Sequence, residues 1–145
     1  LRLNSRTRMG GSIFEEVTES LMFETPDIDD IEALKNGLNR KPDIISIDGG
    51  STDSGPYSLG SGTSKYSRSA IKSEWKILMK AREEAKIPLL IGSSGTCGTD
   101  EMVDWMEDIT IELAEEMGQS IKITKLYCEQ DKEFIKTSFK NQKIS

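Results

Sequence analysis

Apolar residues recur along this chain with two spacings, one typical of helices and one typical of buried strands. Three segments repeat them every three or four positions, which places them on one face of a helix. These segments predict helices over residues 27–41, 64–86 and 100–117, with Gly118 as the C-cap of the last. The predicted core faces are Ile28, Ile31, Leu34 and Leu38; Ile71, Trp75, Leu78, Ala81 and Ala85; and Met102, Met106, Ile109, Leu113 and Met117.

Short runs of Ile and Leu between turn residues predict buried strands. We expect strands at Asp43–Asp48 and Pro88–Ile91, and a looser alternation predicts a third at Ile121–Tyr127. Residues 1–8 fit a first strand or the edge of the sequence, and residues 13–22 fit a helix that Ser12 would cap after a turn. A last helix is expected over residues 129–139.

The order of these elements is βαβαβα, and a further βα unit could precede it. Alternation of this kind predicts a parallel sheet with right-handed crossovers. The predicted fold class is therefore α/β: a doubly wound, mostly parallel sheet of Rossmann- or flavodoxin-like three-layer type. No repeat or linker divides the sequence, so residues 1–145 are expected to form a single domain, as part of a larger protein.

Composition and charge exclude several classes of function. The net charge of −6 and the pI near 4.8 argue against binding to nucleic acid or to an anionic membrane. Neither an apolar run near ~20 residues nor a signal-peptide pattern occurs. Two cysteines without metal-site spacing favour a reducing, cytoplasmic location. Histidine is absent, so a Ser-His-Asp or Cys-His catalytic unit cannot be completed within this sequence; we predict no metal site, and the sequence identifies no cofactor.

Two loops rich in glycine and hydroxyl groups follow the two clearer strands and precede helices. The carboxyl ends of parallel strands meet at one edge of an open sheet, where ligands bind, and free N–H groups ahead of a helix can hold an anion. We predict that a small anionic metabolite binds there; the alternative is that each loop is a tight turn that needs glycine for geometry alone. The predicted ligand-binding residues are Gly49, Gly50, Ser51, Thr52 and Tyr57 in the first loop, and Gly92, Ser93, Ser94, Gly95, Thr96 and Asp100 in the second.

Three side chains in these loops are candidates for chemistry. Asp48 and Asp53 lie across a sharp turn and could pair at a metal ion or as acid and base. We predict the second, because desolvation and mutual repulsion would suit them to act as catalytic acid and base. The alternative is that both accept hydrogen bonds from their own turn. Cys97 precedes a predicted helix, where it could serve as a nucleophile or be a plain loop residue.

Several stretches resemble a known family. They read K-P-D-I-I at residues 41–45, D-G-G-S-T-D-S-G-P-Y at 48–57, L-G-S-G at 59–62 and I-P-L-L-I-G-S at 87–93, with Asp104-Trp105 further on. Together, over about residues 27–118, they resemble the N-terminal region of the acyclic terpene utilisation (AtuA-like) family, once known only as a domain of unknown function.

The resemblance implies a domain of a chain several hundred residues long, among enzymes of acyl-CoA and branched carboxylic-acid catabolism. We accordingly expect this chain to form a homo-oligomer or to pack against the remainder of a longer chain. The second loop of the family reads G-S-A-G-G-A-G-G-D-x-H; Asp100 matches its Asp, and Met102 stands where it has His. The matching positions are Asp48, Ser51, Thr52, Asp53, Tyr57, Ser93 and Asp100.

Two other functions stay open. The stretch Asp48–Asp53 is also similar to the D-x-G-G-T-x-T-D phosphate hairpin of sugar kinases, actin-like ATPases and hydantoinases. That hairpin requires an antiparallel strand directly after the turn, whereas the pattern after Pro56 is helical. The chain could alternatively be a non-catalytic scaffold or oligomerisation domain, which would expose an apolar patch.

Overall fold

Strands and helices alternate through much of the computed structural model, which describes residues 7–9, 12–14, 16–20, 28–50 and 56–143. The elements in chain order are β1 (Thr7–Met9), β2 (Ser12–Phe14), β3 (Glu16–Ser20), α1 (Ile28–Leu38), β4 (Ile44–Gly50), α2 (Tyr57–Ser61), α3 (Arg68–Ala85), β5 (Leu89–Thr96), α4 (Asp100–Met117) and α5 (Lys132–Lys140). None of these helices has both the length and the apolar character needed to cross a membrane. The predicted α/β class is confirmed.

Three parallel strands form the main sheet in the order β3-β4-β5. Parallel strands need crossover connections, and α1 supplies one while α2 and α3 supply the other. The central strand β4 thus has a parallel neighbour on each side. The short strands β1 and β2 form a separate antiparallel pair in which Met9 lies opposite Ser12.

The core lies on one face of this sheet. Ile45 and Ile47 alternate on β4 and are 0% and 2% exposed, and they cluster with Leu78 of α3 and Leu113 of α4. The predicted apolar stripes of α3 and α4 are buried, apart from Ala85 and the half-buried Met117. Leu90 lies on the opposite face of β5 and is 55% exposed.

Capping side chains fix where the long helices begin. Ser67 accepts a hydrogen bond from the Ala70 N–H, so α3 begins at Arg68 instead of the predicted Ser64. Thr99 caps α4 by accepting from the Met102 N–H, and Gly118 ends it in the left-handed conformation as predicted.

The predicted helix over residues 13–22 is wrong. Residues 12–14 and 16–20 are strands, and β3 pairs with β4 from Glu16–Ile44 to Ser20–Asp48. Local helical spacing could not reveal this pairing, because the partner strand lies more than twenty residues further along the chain. The predicted first strand is found in part, at Thr7–Met9.

The predicted third strand at Ile121–Tyr127 is also wrong. Residues 119–131, here called the C-terminal strap, contain no helix or strand. Side chains of the strap bond to α4: Lys125 Nζ lies 2.8 Å from Asp104 Oδ1 and 2.6 Å from Glu107 Oε2, and the Tyr127 hydroxyl donates to Asp104. Of the apolar residues whose alternation predicted the strand, Ile121 is half-buried, whereas Ile123 and Leu126 are exposed.

These contacts change the protonation of the groups involved. Hydrogen bonds from Lys125 and then Tyr127 lower the pKa of the Asp104 carboxyl. The same carboxylate, with Glu107, raises the pKa of Lys125 above its usual value. These contacts favour the ionised forms of Asp104 and Lys125, and the resulting ion pair holds the strap on α4.

An ion-pair network on the surface joins α3 to α4. Lys72 donates to Glu112 and, at 2.5 Å, to Glu116; Arg68 lies 2.7 Å from Glu112 and Lys76 3.3 Å from Glu116. Hydrogen bonds from Lys72, followed by those from Arg68 and Lys76, lower the pKa of Glu112 and of Glu116. Networked charges of this kind support packing of the two helices more than an isolated surface pair would.

We predict that this network makes stability fall on acidification. Because both folded-state pKa values lie below the ordinary glutamate value of 4.5, the contribution is complete above that pH and is lost as the pH drops through the lowered values. Lys72→Met should flatten the acid limb of unfolding free energy against pH. Lys80→Met, at an exposed position of α3 with no ion pair in the described structure, is the matched control and should leave the limb unchanged. Identical limbs for the two variants would show that the network contributes nothing measurable.

Candidate functional site

The ends of β4 and β5 bring the two predicted loops to the same edge of the sheet. Asp48 lies opposite Gly92 in the parallel register, and Gly50 lies opposite Thr96. On the other side of β4, Asp48 pairs with Ser20 of β3. The Asp48 side chain is exposed at this edge. A ligand at the carboxyl end of the sheet would therefore meet Asp48 and the end of β5 together.

The end of β5 is irregular. The three residues of β4 from Asp48 to Gly50 lie opposite the five residues of β5 from Gly92 to Thr96, so the register shifts here. The strand predicted at 88–91 is longer than expected, because β5 continues through five of the seven residues of the predicted loop, from Gly92 to Thr96. Ser93 and Thr96 have φ values of 50° and 79°, which non-glycine residues seldom adopt. Such bulges re-aim the chain beside binding sites.

Two glycines at this edge are required by space. A Cβ on Gly95, whose φ is 61°, would lie 2.7 Å from Met102 Sδ. A Cβ on Gly49 would lie 2.9 Å from Ile91 Cδ1. A Cβ on Gly92, by contrast, would come no closer than 3.9 Å, to the Ile47 carbonyl. Gly95 and Gly49 thus serve close packing, while Gly92 is free of this constraint.

Thr96 joins the β5 end to the segment before α3. Its hydroxyl accepts a hydrogen bond from the Lys65 N–H at 3.2 Å and bonds Ser64 Oγ at 3.3 Å. Ser64 Oγ also accepts from the Tyr66 N–H. The side chain of Thr96 therefore holds its own strained backbone in place, and we assign it a structural role.

Of the remaining residues predicted in the first loop, the structure describes Tyr57. Tyr57 begins α2 and is 76% exposed, whereas the neighbouring Ser58 is buried. Ser51, Thr52 and Asp53 lie outside the described residues. The pairing of Asp48 with Asp53 as acid and base stays a prediction.

N–H groups at the start of α4 already donate to side chains of the protein. The Asp100 N–H donates to Glu129 Oε1 at 2.9 Å, and the Glu129 N–H donates to Asp100 Oδ1 at 3.3 Å. Thr99 Oγ1 takes the Met102 N–H. Two of the first donors of the helix are thus satisfied, one of them by a carboxylate. An anion at this edge would have to use the backbone of residues 92–98.

Two polar side chains of the second loop lie near this backbone. Ser94 is 7% exposed, its carbonyl accepts from the Gly98 N–H at 2.9 Å, and its hydroxyl makes no hydrogen bond within the described residues. Cys97 is half-buried, is a free thiol, and lies 3.6 Å from Thr99 Oγ1. The described residues contain no group of three or more His, Cys, Asp or Glu side chains that could hold a metal ion.

Sequence reasoning missed two carboxylates. Glu129 caps α4 from 29 residues further along the chain than Asp100, and no local pattern marks such a contact. Glu74 is 7% exposed within α3. The sequence signal for Glu74 was its place directly before Trp75, which belongs to the apolar stripe that predicts the core face of this helix.

Met102 occupies a packing position and has no polar role. It is 7% exposed, and its side chain packs against Gly95 in the irregular end of β5. The position at which the AtuA-like motif has a histidine is therefore buried in this structure. Comparison of the chain with protein-family models, curated proteins and solved structures finds no match to any of them.

Proposed function

We propose that this chain binds a small anionic metabolite at the edge where β4 and β5 end. The single observation that carries this proposal is the bulged end of β5, with its rare backbone conformations, lying directly beside Asp48. Strained backbone of this kind persists where the surrounding structure holds it, and it collects at ligand sites. The proposed anion-binding groups are N–H groups of residues 92–97, since the Gly98 N–H already donates to the Ser94 carbonyl.

The proposed metabolite is a carboxylic acid or an acyl-CoA, and Asp48 acts on it as acid or base. This part of the proposal draws on the resemblance to the AtuA-like family, whose G-S-T-D stretch matches residues 50–53, of which Gly50 is the last residue of β4. We further propose that the sheet is doubly wound in a longer chain, with helices over the face that carries Leu90. The free thiols Cys97 and Cys128 fit the cytoplasmic location proposed with it.

A non-catalytic scaffold is the second candidate function. The observation that favours it is the satisfied start of α4, where Glu129 and Thr99 already take two of the N–H donors. The actin-like phosphate hairpin has weaker support. Both neighbours of β4 are parallel, and the next described element is the helix α2, so the antiparallel strand of that hairpin has no place beside β4.

The test is thermal unfolding with inorganic phosphate, short acyl-CoAs, dicarboxylates and nucleotides. A ligand at about 100 times its Kd should stabilise the native state by roughly 2.7 kcal/mol. We expect a shift with an acyl-CoA or a dicarboxylate that Gly92→Ala weakens, because the variant adds a methyl group at the exposed start of the proposed binding segment, with no atom closer than 3.9 Å. Gly60→Ala, with open space around it, is the matched control.

The role of Asp48 has its own expected result. Asp48→Asn should keep the fold, because the side chain is exposed. If an activity assay shows that the protein converts one of the stabilising ligands, Asp48→Asn should abolish that turnover. Undiminished turnover in Asp48→Asn would remove Asp48 from the chemistry. No shift with any compound would favour the scaffold.

A further inference from the structure

The C-terminal helix α5 presents an apolar face that the described structure does not cover. Phe134, Ile135 and Phe139 lie on one side of this helix and are 61%, 42% and 62% exposed, while the small Ser138 between them is buried. Burial of large apolar side chains is the main source of stability, so a face of this kind marks an interaction surface. α5 is nonetheless a well-formed helix, capped by Asp131, which accepts from the Phe134 N–H at 2.8 Å.

The polar side of α5 is basic, in contrast to the rest of the chain. Residues 132–143 contain four lysines and one glutamate, a net charge of +3, so the total of −6 leaves −9 on all other residues. Lys136 pairs with Glu133 inside the helix at 2.7 Å. Lys132, Lys140 and Lys143 make no ion pair within the described part of the chain. Their natural partner is an acidic surface.

Such a surface exists on the outer side of α4. Asp108, Ile111 and Glu115 follow one another at helical spacing and are exposed, Ile111 by 43%. Asp108 and Glu115 have no ion pair among the described residues. The strap bonds to Asp104, one turn before Asp108 on this same stripe, and to Glu107, while α3 bonds to Glu112 and Glu116 on the other side. The stripe is therefore open from Asp108 to Glu115. An apolar residue between acids complements an apolar face beside lysines.

We propose that α5 of one copy docks on this outer stripe of α4 in a second copy, reciprocally. One nine-residue helix is about 14 Å long and is too short to form a stable interface alone. A stable dimer buries on the order of 1,200 Å² or more in total, which two symmetric helix contacts approach. The surface and the occupant are both parts of this chain, and the proposal is independent of the anion site.

An anionic lipid surface is the other chemistry that a basic amphipathic helix can meet. The −9 charge on the remaining residues opposes it, because the body of the protein would be repelled by the same surface that attracts the lysines. The same charge favours a second copy, whose acidic α4 stripe attracts α5 and whose association lowers the exposed apolar area.

The test is analytical ultracentrifugation of two charge-reversed variants, alone and mixed. Lys132→Glu/Lys140→Glu makes α5 acidic, and Asp108→Lys/Glu115→Lys makes the α4 stripe basic. Each variant alone sets like charges against each other in both contacts, so we expect dimer affinity to fall on the order of a hundredfold. Their mixture restores opposite charges in both contacts, so a heterodimer should form with near wild-type affinity. All substituted side chains are exposed, and circular dichroism checks that the helices are retained.

Each other outcome overturns the proposal. A wild-type chain that stays monomeric up to near-millimolar concentration has no such interface. A dimer that survives either variant, or a mixture that does not associate, places α5 elsewhere. Sedimentation of the monomer with phosphatidylserine vesicles, lost in Phe134→Ser/Phe139→Ser, would assign α5 to lipid instead.

Discussion

Gly95→Ala should lower the free energy of unfolding by about 3 kcal/mol, the sum of two independent penalties. A left-handed φ of 61° costs a residue with a Cβ roughly 1–2 kcal/mol. Forcing that Cβ to within 2.7 Å of Met102 Sδ adds overpacking of about 1–3 kcal/mol, because Met102 is itself buried. Urea unfolding with a fixed m-value measures the loss.

The matched control lies three residues away in the same strand. Gly92→Ala adds the same methyl group where its nearest neighbour is 3.9 Å away, so stability should change by less than about 1 kcal/mol. Equal losses of unfolding free energy in the two variants would mean that the left-handed φ of Gly95 and its close contact with Met102 have no measurable effect on stability. The pair thus separates a stability effect from the ligand effect expected of Gly92→Ala.

The second large effect concerns two leucines in α4 and the strap. Leu113 is 0% exposed in the core, and Leu113→Ala should cost about 3 kcal/mol through lost burial and the cavity left behind. Leu126 is 79% exposed, and Leu126→Ala should change stability by no more than about 0.5 kcal/mol. Both variants are measured by the same urea titration.

This comparison tests the conformation of the strap directly. If residues 121–127 formed a buried strand of the sheet, Leu126→Ala would remove core contacts and would cost as much as Leu113→Ala. A near-neutral Leu126→Ala agrees with a strap held by the polar contacts of Lys125 and Tyr127.

Much of the fold follows from local sequence. The stripes of α3 and α4 and the strands β4 and β5 were predictable because their apolar spacing also determines which side chains the core buries. The two errors share a cause, since both segments owe their conformation to partners distant in sequence. β3 is a strand because β4 lies beside it, and the strap is not a strand because α4 offers carboxylates to Lys125.

The candidate site was predictable as a place but not as a mechanism. Two glycine loops after strands led to the edge where Asp48 lies opposite Gly92. The extension of β5 into its loop depends on positive φ at Ser93 and Thr96, which residue type disfavours. Glu129 caps α4 through a contact between residues far apart in the sequence, so no local motif could predict it.

The measurement that tests the central claim most directly is a titration of backbone amide resonances with phosphate, an acyl-CoA and a dicarboxylate. Binding at the proposed edge should move the amides of residues 48–50 and 92–98 together, saturably, and should move them less in Gly92→Ala. Shifts confined to α4 or α5, or none with any of the three compounds, would contradict an anion site at the ends of β4 and β5.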